Sequence, residues 1–312
     1  MLTCLSYVYA ILSRWGTTRR LLPLLRLPGF GRLWLRRTVR RRESPRPGDI
    51  TIVIGARNRS DYRLSNALRS IRAQEYPADA VRVIVVDYGS EPESARGTRT
   101  ICEAHRARYV AVDHAPVWSR SRCLNIGIRL ADSKFLMTSD VDVVLSPRYL
   151  RDAVHALAAS PLSVVCSPML DLPEDSVPLL EQAAGSGEDV PCDTWKPLCK
   201  PRYDWKYHPS IGLTYTAYYK LVRGYDEYYE VWGLEDDDLM RRFTYMGLEP
   251  KALDSGSFYL HQWHPKFEGV PDGRTAAQVQ LNQSYFEKTH SILRNGRDWG
   301  IPPARAPKRM IA

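Results

Sequence analysis

Residues 135–142 form an apolar run that ends in two carboxylates, and they read Phe135-Leu136-Met137-Thr138-Ser139-Asp140-Val141-Asp142. Short apolar runs that are bounded by turn residues are typical of buried strands. Because alternate residues of a strand share a face, Asp140 and Asp142 are expected to offer their oxygens on the same side. This segment therefore predicts a buried strand that delivers two acidic side chains at its carboxyl end.

Similar apolar runs lie on both sides of this one, separated by stretches with helical spacing. Further strands are predicted at 50–54, 81–86, 109–112 and 163–166, and helices near 64–71 and at 92–106, 121–130 and 147–159. Strands that alternate with helices favour an α/β fold with a mostly parallel sheet and right-handed crossovers. Ligands of such sheets bind outside the carboxyl ends of the strands, where Ala56, Asp87 and Asp140 are expected.

A second acidic segment follows far downstream and opens a predicted helix with four consecutive carboxylates: Trp232-Gly233-Leu234-Glu235-Asp236-Asp237-Asp238-Leu239. Four adjacent negative charges repel one another. The dipole of a helix offsets this by less than about 1 kcal/mol for each charge. The segment is therefore either an ordinary acidic helix start or a functional cluster, and stability alone does not explain it.

Three motifs together carry a resemblance to a known family. Residues 232–239 resemble the W-G-x-E-D-D-D-L signature of inverting galactosyl- and N-acetylgalactosaminyltransferases, and Asp140-Val141-Asp142 is similar to the D-x-D metal motif of GT-A glycosyltransferases. Gly224-Tyr225-Asp226-Glu227 matches the G-[FY]-D-E that precedes the signature in glycosyltransferase family 2. Three motifs in this order are a strong signal. The resemblance spans 49–266 and implies a Rossmann-like GT-A fold, whose C-terminal part binds the acceptor and completes a metal site.

The reaction that the resemblance implies is an inverting transfer of a hexose such as Gal or GalNAc. The donor is expected to be a nucleotide-diphosphate sugar, UDP-linked, and the acceptor a hydroxyl of a glycan or glycolipid. Asp236 is implied as the general base and Glu235 as a sugar-binding residue. Gly233 would let the sugar approach the backbone closely, and Trp232 would form an apolar wall beneath it. The remaining two carboxylates, Asp237 and Asp238, are expected to cap the helix.

A divalent cation, Mn²⁺ or Mg²⁺, is implied between the donor phosphates. Asp142 is implied to bind it directly, and Asp140 to contact the ribose or the metal through water. In the family a histidine after the strand beyond the acidic motif completes the site, and both His261 and His264 fit that position, with His261 slightly favoured. Carboxylate oxygens suit both metals, and Mn²⁺ also accepts imidazole.

Residues that bind the donor are implied on three segments. They are Ala56, Arg57 and Asn58 after the first strand, Asp87 at the end of the second, and Arg122 and Asn125 in an R-x-x-N-x-G element that faces the diphosphate. The family has D-D-G-S at the second strand, where this chain has Asp87-Tyr88-Gly89-Ser90, so the Tyr88 ring is a candidate to stack on the base. Arg122 has the geometry for a phosphate, although an exposed position on an amphipathic helix is the alternative.

Positive charge is concentrated at the N-terminus. Residues 1–48 hold eleven arginines and one glutamate, a net charge of +10, whereas the whole chain carries +9. The rest of the chain is thus close to neutral, and nucleic acid is not an expected partner. Leucine and tryptophan alternate with arginine in 1–45, which predicts either peripheral contact with an anionic membrane or a flexible basic arm.

Changes of composition divide the chain into four parts. They are a basic segment and linker (1–48), a nucleotide-sugar-binding half (49–170), an acceptor and catalytic half (171–270), and a C-terminal helix and tail (271–312). Aromatic residues such as Trp195 in the third part suit an acceptor sugar or simple packing. Six cysteines without a C-x-x-C pair favour reduced thiols and a cytoplasmic protein, with a Cys192–Cys199 bond or metal site as the alternative.

Two other functions compete with sugar transfer. A metal-dependent nucleotidyltransferase would have a glycine-rich, lysine-bearing phosphate loop after the first strand, which Gly55-Ala56-Arg57-Asn58 lacks. A catalytically inactive scaffold at a membrane surface would have no need for intact acidic motifs. The sequence therefore favours the transferase.

Overall fold

A seven-stranded sheet lies at the centre of the computed structural model, which describes residues 49–303 apart from 114, 116, 202–210, 255 and 266–273. The strands are β1 Ile50–Ala56, β2 Val81–Tyr88, β3 Arg108–Val112, β4 Phe135–Asp140, β5 Val143–Leu145, β6 Ser163–Cys166, β7 Met169–Asp171, β8 Lys200–Pro201, β9 Leu213–Tyr215, β10 Glu249–Ala252 and β11 Tyr259–His261. The helices are α1 Tyr62–Arg72, α2 Pro92–Ala104, α3 Arg120–Leu130, α4 Tyr149–Ala159, α5 Val177–Ser186, α6 Cys192–Trp195, α7 Thr216–Val222, α8 Glu235–Tyr245 and α9 Arg274–Lys288. The basic segment 1–48 lies outside the described residues.

The large sheet has the strand order β10-β6-β9-β4-β1-β2-β3, and β9 runs antiparallel to both of its neighbours while the other pairs are parallel. A smaller sheet has the order β5-β11-β7-β8. Every strand and helix expected between residues 50 and 166 is present, because buried β-branched runs and helical spacing are strong local signals. The mostly parallel α/β architecture is thus confirmed.

The carboxyl ends of three strands meet at one edge of the large sheet. β1 is buried and pairs with β2 and β4, with Ala56 opposite Asp87 and Gly55 opposite Asp140. This register places the expected donor-binding positions side by side. The candidate site therefore lies at the edge where parallel sheets bind their ligands.

The two carboxylates of the D-x-D motif do not share a strand face. β4 ends at Asp140, the chain turns through 141–142, and β5 then enters the smaller sheet. The strand alternation from which the same-side expectation was drawn therefore ends at Asp140 and does not extend to Asp142. Asp142 instead faces β11, which pairs with β7 so that His261 lies opposite Asp171.

Asp238 has a different role from the helix cap that the sequence suggested. Residue Leu234 precedes α8 in a left-handed conformation, and its side chain makes no capping hydrogen bond. Asp238 is fully buried, and its carboxylate accepts hydrogen bonds from Arg242 Nε at 2.6 Å and Arg294 Nη2 at 3.2 Å. Asp238 therefore neutralises the buried guanidinium groups of Arg242 and Arg294, and it also accepts a hydrogen bond from Arg241 Nη2 at 3.2 Å.

We expect Asp238→Asn to lower the free energy of unfolding by about 3–5 kcal/mol, because it leaves buried arginine charge without its counterion. Urea denaturation followed by circular dichroism measures this. Asp237→Asn is the matched control, because Asp237 lies on the same turn but is partly exposed. Equal stability of the two variants would show that the buried ion pair does not support the fold.

Other expectations about the second half have mixed outcomes. The five cysteines in the described part of the chain are free thiols, so Cys192 and Cys199 do not pair. Trp195 is buried and packs with apolar residues of the smaller sheet, which favours packing over acceptor contact. None of the described helices combines the length and the apolar character of a membrane span.

Candidate active site

Three potential metal ligands from two segments of the chain meet in one cluster. Asp142 Oδ2 lies 3.2 Å from His264 Nε2 and 3.7 Å from His261 Nε2. One ligand atom from each residue lies within 4.8 Å of the others. The sequence left the two histidines as alternatives, and the structure brings both to Asp142.

The chemistry of this cluster fits a divalent cation. Asp142 Oδ1 is buried and has no hydrogen-bond partner among the residues that the structure describes, so one carboxylate oxygen is available as a ligand. His261 Nδ1 lies 3.2 Å from Asp171 Oδ1, which turns Nε2 towards Asp142. Metal-binding histidines are commonly oriented by a carboxylate in this way. One carboxylate and two imidazoles form a ligand set that suits Mn²⁺ better than Mg²⁺.

Charges around the cluster favour the ionised form of Asp142. Burial raises the pKa of this carboxyl, but the His261 and His264 imidazoles and the Arg63 charge outweigh it and hold the pKa below its usual range. The hydrogen bond to Asp142 raises the pKa of His264, against the effect of burial. A cation would take the place of the proton that the Asp142 carboxylate stabilises on the His264 imidazole.

Gln262, between the two histidines in sequence, fixes the turn that carries Asp142. Its backbone N–H donates to the Asp142 carbonyl at 2.8 Å, and its side-chain Nε2 donates to the Arg63 carbonyl at 2.9 Å. Asn66 Nδ2 donates to its Oε1 at 3.0 Å. The side chain is fully buried, so this amide locks α1, β11 and the turn together.

A second cluster surrounds the Arg120 guanidinium with carboxylates from both acidic motifs. Arg120 Nε donates to Asp140 Oδ1 at 2.7 Å, and Nη1 donates to Asp236 Oδ1 at 2.6 Å. Glu235 Oε1 lies 3.9 Å from Nη1. Asp140 thus turns to Arg120 and lies outside the three-residue cluster of Asp142. The two motifs, almost a hundred positions apart, therefore form one site.

Sequence reasoning chose Arg122 and missed Arg120. Arg122 is exposed, whereas only 12% of the Arg120 side chain is accessible. Ser119 is the N-cap of α3 and accepts a hydrogen bond from the Arg122 N–H at 3.2 Å. A serine cap is readable from sequence, and it marks Arg120 as the first residue of a helix that begins at the carboxyl edge.

The acidic pair at the start of α8 is held in an environment that favours protonation. Burial has the largest effect on Asp236 and raises its pKa. Arg120 lowers this pKa and the Glu235 and Asp140 charges raise it, and together these effects bring it to about 8. Burial also raises the pKa of Glu235. A carboxylate with a pKa near neutrality is suited to accept a proton from a hydroxyl group.

Asn125 does not face the donor edge. Its side chain is fully buried, its Nδ2 donates to the Tyr225 carbonyl at 2.9 Å, and its Oδ1 accepts from the Tyr225 N–H at 2.8 Å. A Cβ on Gly224 would approach Asn125 Oδ1 to 2.0 Å, and Gly224 has a φ of +68°. The prediction of a donor contact is corrected here: Asn125 holds the G-Y-D-E turn, which requires glycine at that position.

The segment between this turn and α8 has an uncommon backbone. Val231 and Leu234 have φ values of +64° and +71°, and Gly233 has +105°. Asn282 Nδ2 donates to the carbonyls of Glu230 and Trp232 at 3.1 and 3.0 Å. Positive φ at a β-branched residue is strained and persists only where the surroundings fix it. The Trp232 side chain is 56% exposed at the tip of this segment.

The expected nucleotide-binding positions lie at the ends of β1 and β2. Ala56 is buried and Arg57 is partly exposed. Asn58 is exposed, and its N–H donates to Ser90 Oγ at 2.7 Å. Asp87 is buried and accepts a hydrogen bond from the Tyr109 hydroxyl at 2.7 Å.

Tyr88 is not placed to stack on a base. Its side chain is 3% exposed, and its ring packs edge-on against Trp118 with centroids 6.2 Å apart. Alternation along β2 directs this ring into the protein. The stacking expectation is therefore wrong.

Comparison with known families decides the classification. Residues 51–208, about half of the chain, match the family model described as Glycosyl transferase family 2. The chain belongs to glycosyltransferase family 2. Residues 197–265 of this glycosyltransferase also match the model described as the N-terminal domain of galactosyltransferase, so the expected family is confirmed. No curated protein matches the chain.

Solved structures resemble the fold of this glycosyltransferase at low sequence identity. S. aureus TarS 1–349 aligns with a TM-score of 0.51 and 18% identity over 69% of this chain and 60% of that chain. S. aureus TarS aligns with a TM-score of 0.51 and 17% identity over 79% of this chain and 44% of that chain. The mannosyltransferase PcManGT from Pyrobaculum calidifontis, in complex with GDP-Man and Mn²⁺, aligns with a TM-score of 0.49 and 16% identity over 83% of this chain and 78% of that chain. The glycosyltransferase thus spans less than two thirds of either TarS chain, and the TarS likeness confirms the GT-A fold.

Proposed function

We propose that this glycosyltransferase transfers a hexose such as Gal or GalNAc from a UDP-linked donor to a hydroxyl group of a glycan or glycolipid, with inversion. The observation that carries the proposal is the Arg120 bridge, which joins Asp140 of one motif to Asp236 of the other. Donor and acceptor must meet where the donor-side carboxylate and the base lie together. The inverting mechanism follows from a single displacement that uses one base.

Asp142, His261 and His264 are the residues that would hold Mn²⁺ or Mg²⁺. A bound divalent cation supplies charge neutralisation for a departing nucleoside diphosphate. Asp140 lies next to this cluster in sequence but is committed to Arg120, so we assign it to the donor sugar or ribose. Asp87, Arg57 and Asn58 line the edge where the nucleotide would lie.

Asp236 is the proposed base that removes the proton of the acceptor hydroxyl as the oxygen attacks the anomeric carbon. Glu235 is held by the Gly233 N–H, which donates to its Oε2 at 3.0 Å, and binds a sugar hydroxyl. Apart from the sequence neighbours of Gly233, no atom of the described residues lies within 4 Å of the position that a Cβ of Gly233 would take, which leaves this backbone open to a sugar. The exposed Trp232 face offers an apolar platform beside it.

The experiment that tests this function is a screen of nucleotide sugars for release of nucleoside diphosphate in Mn²⁺, in Mg²⁺ and in excess chelator. We expect one UDP-hexose to be consumed, only with metal, and faster when glycan acceptors are added. Asp142→Ala serves as the inactive control. A folded protein that releases nucleoside diphosphate from none of the donors would support an inactive scaffold. Release of pyrophosphate from a nucleoside triphosphate in the presence of a sugar phosphate would support nucleotidyl transfer.

We further propose peripheral contact with an anionic membrane through residues 1–45, on the basis of their charge and interleaved leucines alone. We expect the full-length protein to sediment with vesicles that contain phosphatidylserine, and to be released by salt because the attraction is screened. Deletion of 1–45 should abolish sedimentation and leave donor consumption intact. Equal sedimentation of both forms would rule out this anchor.

A further inference from the structure

The Arg120 guanidinium is a nearly buried positive charge enclosed by the acidic residues of the site. Its side chain is 12% exposed, and a charge so placed must be paired to persist. Its Nε and Nη1 reach one carboxylate from each acidic motif, Asp140 on β4 and Asp236 on α8. The guanidinium therefore lies between the donor side and the base.

We propose that Arg120 is a positioning residue that holds the Asp236 carboxylate towards the acceptor hydroxyl and ties it to Asp140. The proposal rests on the proposed function, because it takes Asp236 as the base. The planar guanidinium fixes two carboxylates in one geometry through separate N–H groups, which a lysine ammonium does less well.

Electrostatics give Arg120 a second effect on the same carboxylate. Asp236, Glu235 and Asp140 place three negative charges around one guanidinium. Without the positive charge, mutual repulsion and burial would both favour a protonated Asp236, which cannot act as a base. Arg120 thus lowers the pKa of the Asp236 carboxyl as well as orienting it, against the effects of burial and of the neighbouring carboxylates.

Several groups from different elements face Asp236 and contribute to its charge state. They are Arg120 on α3, Asp140 on β4, Glu235 on α8, Tyr225 in the preceding turn, Tyr219 on α7 and Cys166 on β6. Arg120 is the cation among these groups. Its guanidinium carbon also lies 5.6 Å from the centre of the Tyr225 ring, whose hydroxyl is 2.8 Å from Thr138 Oγ1.

Accessibility distinguishes this ion pair from the structural one on the same helix. The Asp140 and Asp236 side chains are 30% and 16% exposed, so a substrate can reach both carboxylates. Asp238 and Arg242 are 0% exposed, and their pairing serves only the fold. Arg120 therefore occupies a position from which it acts on groups that substrates contact.

The test compares Arg120→Gln and Arg120→Lys with wild type in the full chain, using the donor and acceptor found in the screen. We expect Arg120→Gln to lower kcat on the order of 10²-fold, as for a misplaced catalytic group. We also expect the acidic limb of its pH–kcat profile to move upward by about one to three pH units, because a nearby opposite charge lowers a carboxyl pKa by that amount. The sign follows from the base acting only when deprotonated.

Arg120→Lys keeps the charge and loses the planar geometry, so we expect a pH limb near that of wild type with a reduced kcat. Arg129→Gln removes an arginine from the other end of α3 and is the matched control, with kcat and pH limb unchanged. If Arg120→Gln does not fold, the pH limb and kcat of Arg120→Lys decide the matter. Wild-type kcat and an unshifted limb in the folded Arg120 variants would overturn the positioning role.

Asp236→Asn separates a failure of this proposal from a failure of the proposed function. If Asp236→Asn retains transfer, Asp236 is not the base, and the functional assignment fails with the positioning role. If Asp236→Asn loses its turnover while both Arg120 variants behave as wild type, Asp236 remains the proposed base and only the role of Arg120 is refuted.

Discussion

Asp236→Asn is expected to lower the turnover of sugar transfer by about 10²–10⁴-fold, the usual effect of removing a general base. The substitution keeps the size of the side chain and removes the group that accepts the proton. Arg120 retains Asp140 as an ionic partner, so the fold should survive. Steady-state kcat with donor and acceptor measures the loss, and calorimetric Mn²⁺ titration should show unchanged metal affinity.

Asp237→Asn is the control for that experiment, because it removes one negative charge from the same helical turn without touching the Arg120 bridge. We expect it to retain nearly full turnover. If Asp236→Asn were nearly normal and Asp237→Asn inactive, the assignment of roles within the acidic run would be shifted by one position.

Asp142→Ala is expected to abolish specific Mn²⁺ binding and to reduce turnover by orders of magnitude while the protein stays folded. Asp142 is the anionic member of the cluster, and the two imidazoles that remain would bind a divalent cation weakly. Asp171→Asn should have a smaller effect and weaken metal affinity about 10–100-fold, because the Asp171 carboxylate orients His261 and is not itself a ligand in the cluster. Titration of Mn²⁺ measured by electron paramagnetic resonance provides both affinities.

Asp132→Ala is a suitable control for the metal experiment, because the Asp132 side chain is 83% exposed and its carboxylate pairs with Arg82. It should bind Mn²⁺ as wild type does. Full activity of the wild type in excess chelator, or undiminished Mn²⁺ affinity of Asp142→Ala, would contradict a metal site at these residues.

The sequence predicts local features of this glycosyltransferase well. The consecutive apolar residues Ile52, Val53 and Ile54 predict the central strand, because a strand that is buried on both faces is mostly apolar. The position of Asp140 at the carboxyl end of β4 follows from the same pattern. Strand ends in a parallel sheet converge, so the location of the candidate site was also within reach.

Features set by distant contacts were not predictable from local pattern. Asp236 and Asp238 lie two positions apart in the same acidic run, and the packing of α8 directs Asp238 to the buried Arg242 and Asp236 to Arg120. Arg120 and Arg122 are likewise two positions apart on α3, so they lie on different faces of the helix. Asn125 matched a donor-binding motif, but its partner, the turn at Tyr225, lies a hundred residues away.

The central claim is an inverting sugar transfer at the joined acidic motifs, and the anomeric configuration of the product tests it most directly. Proton NMR of the product made with Mn²⁺ and the donor identified in the screen shows whether the transferred sugar carries an α or a β linkage. From an α-linked UDP-hexose we predict a β-linked product, and no product from Asp236→Asn. An α-linked product would require a retaining mechanism and would contradict the account of Asp236 as the single base.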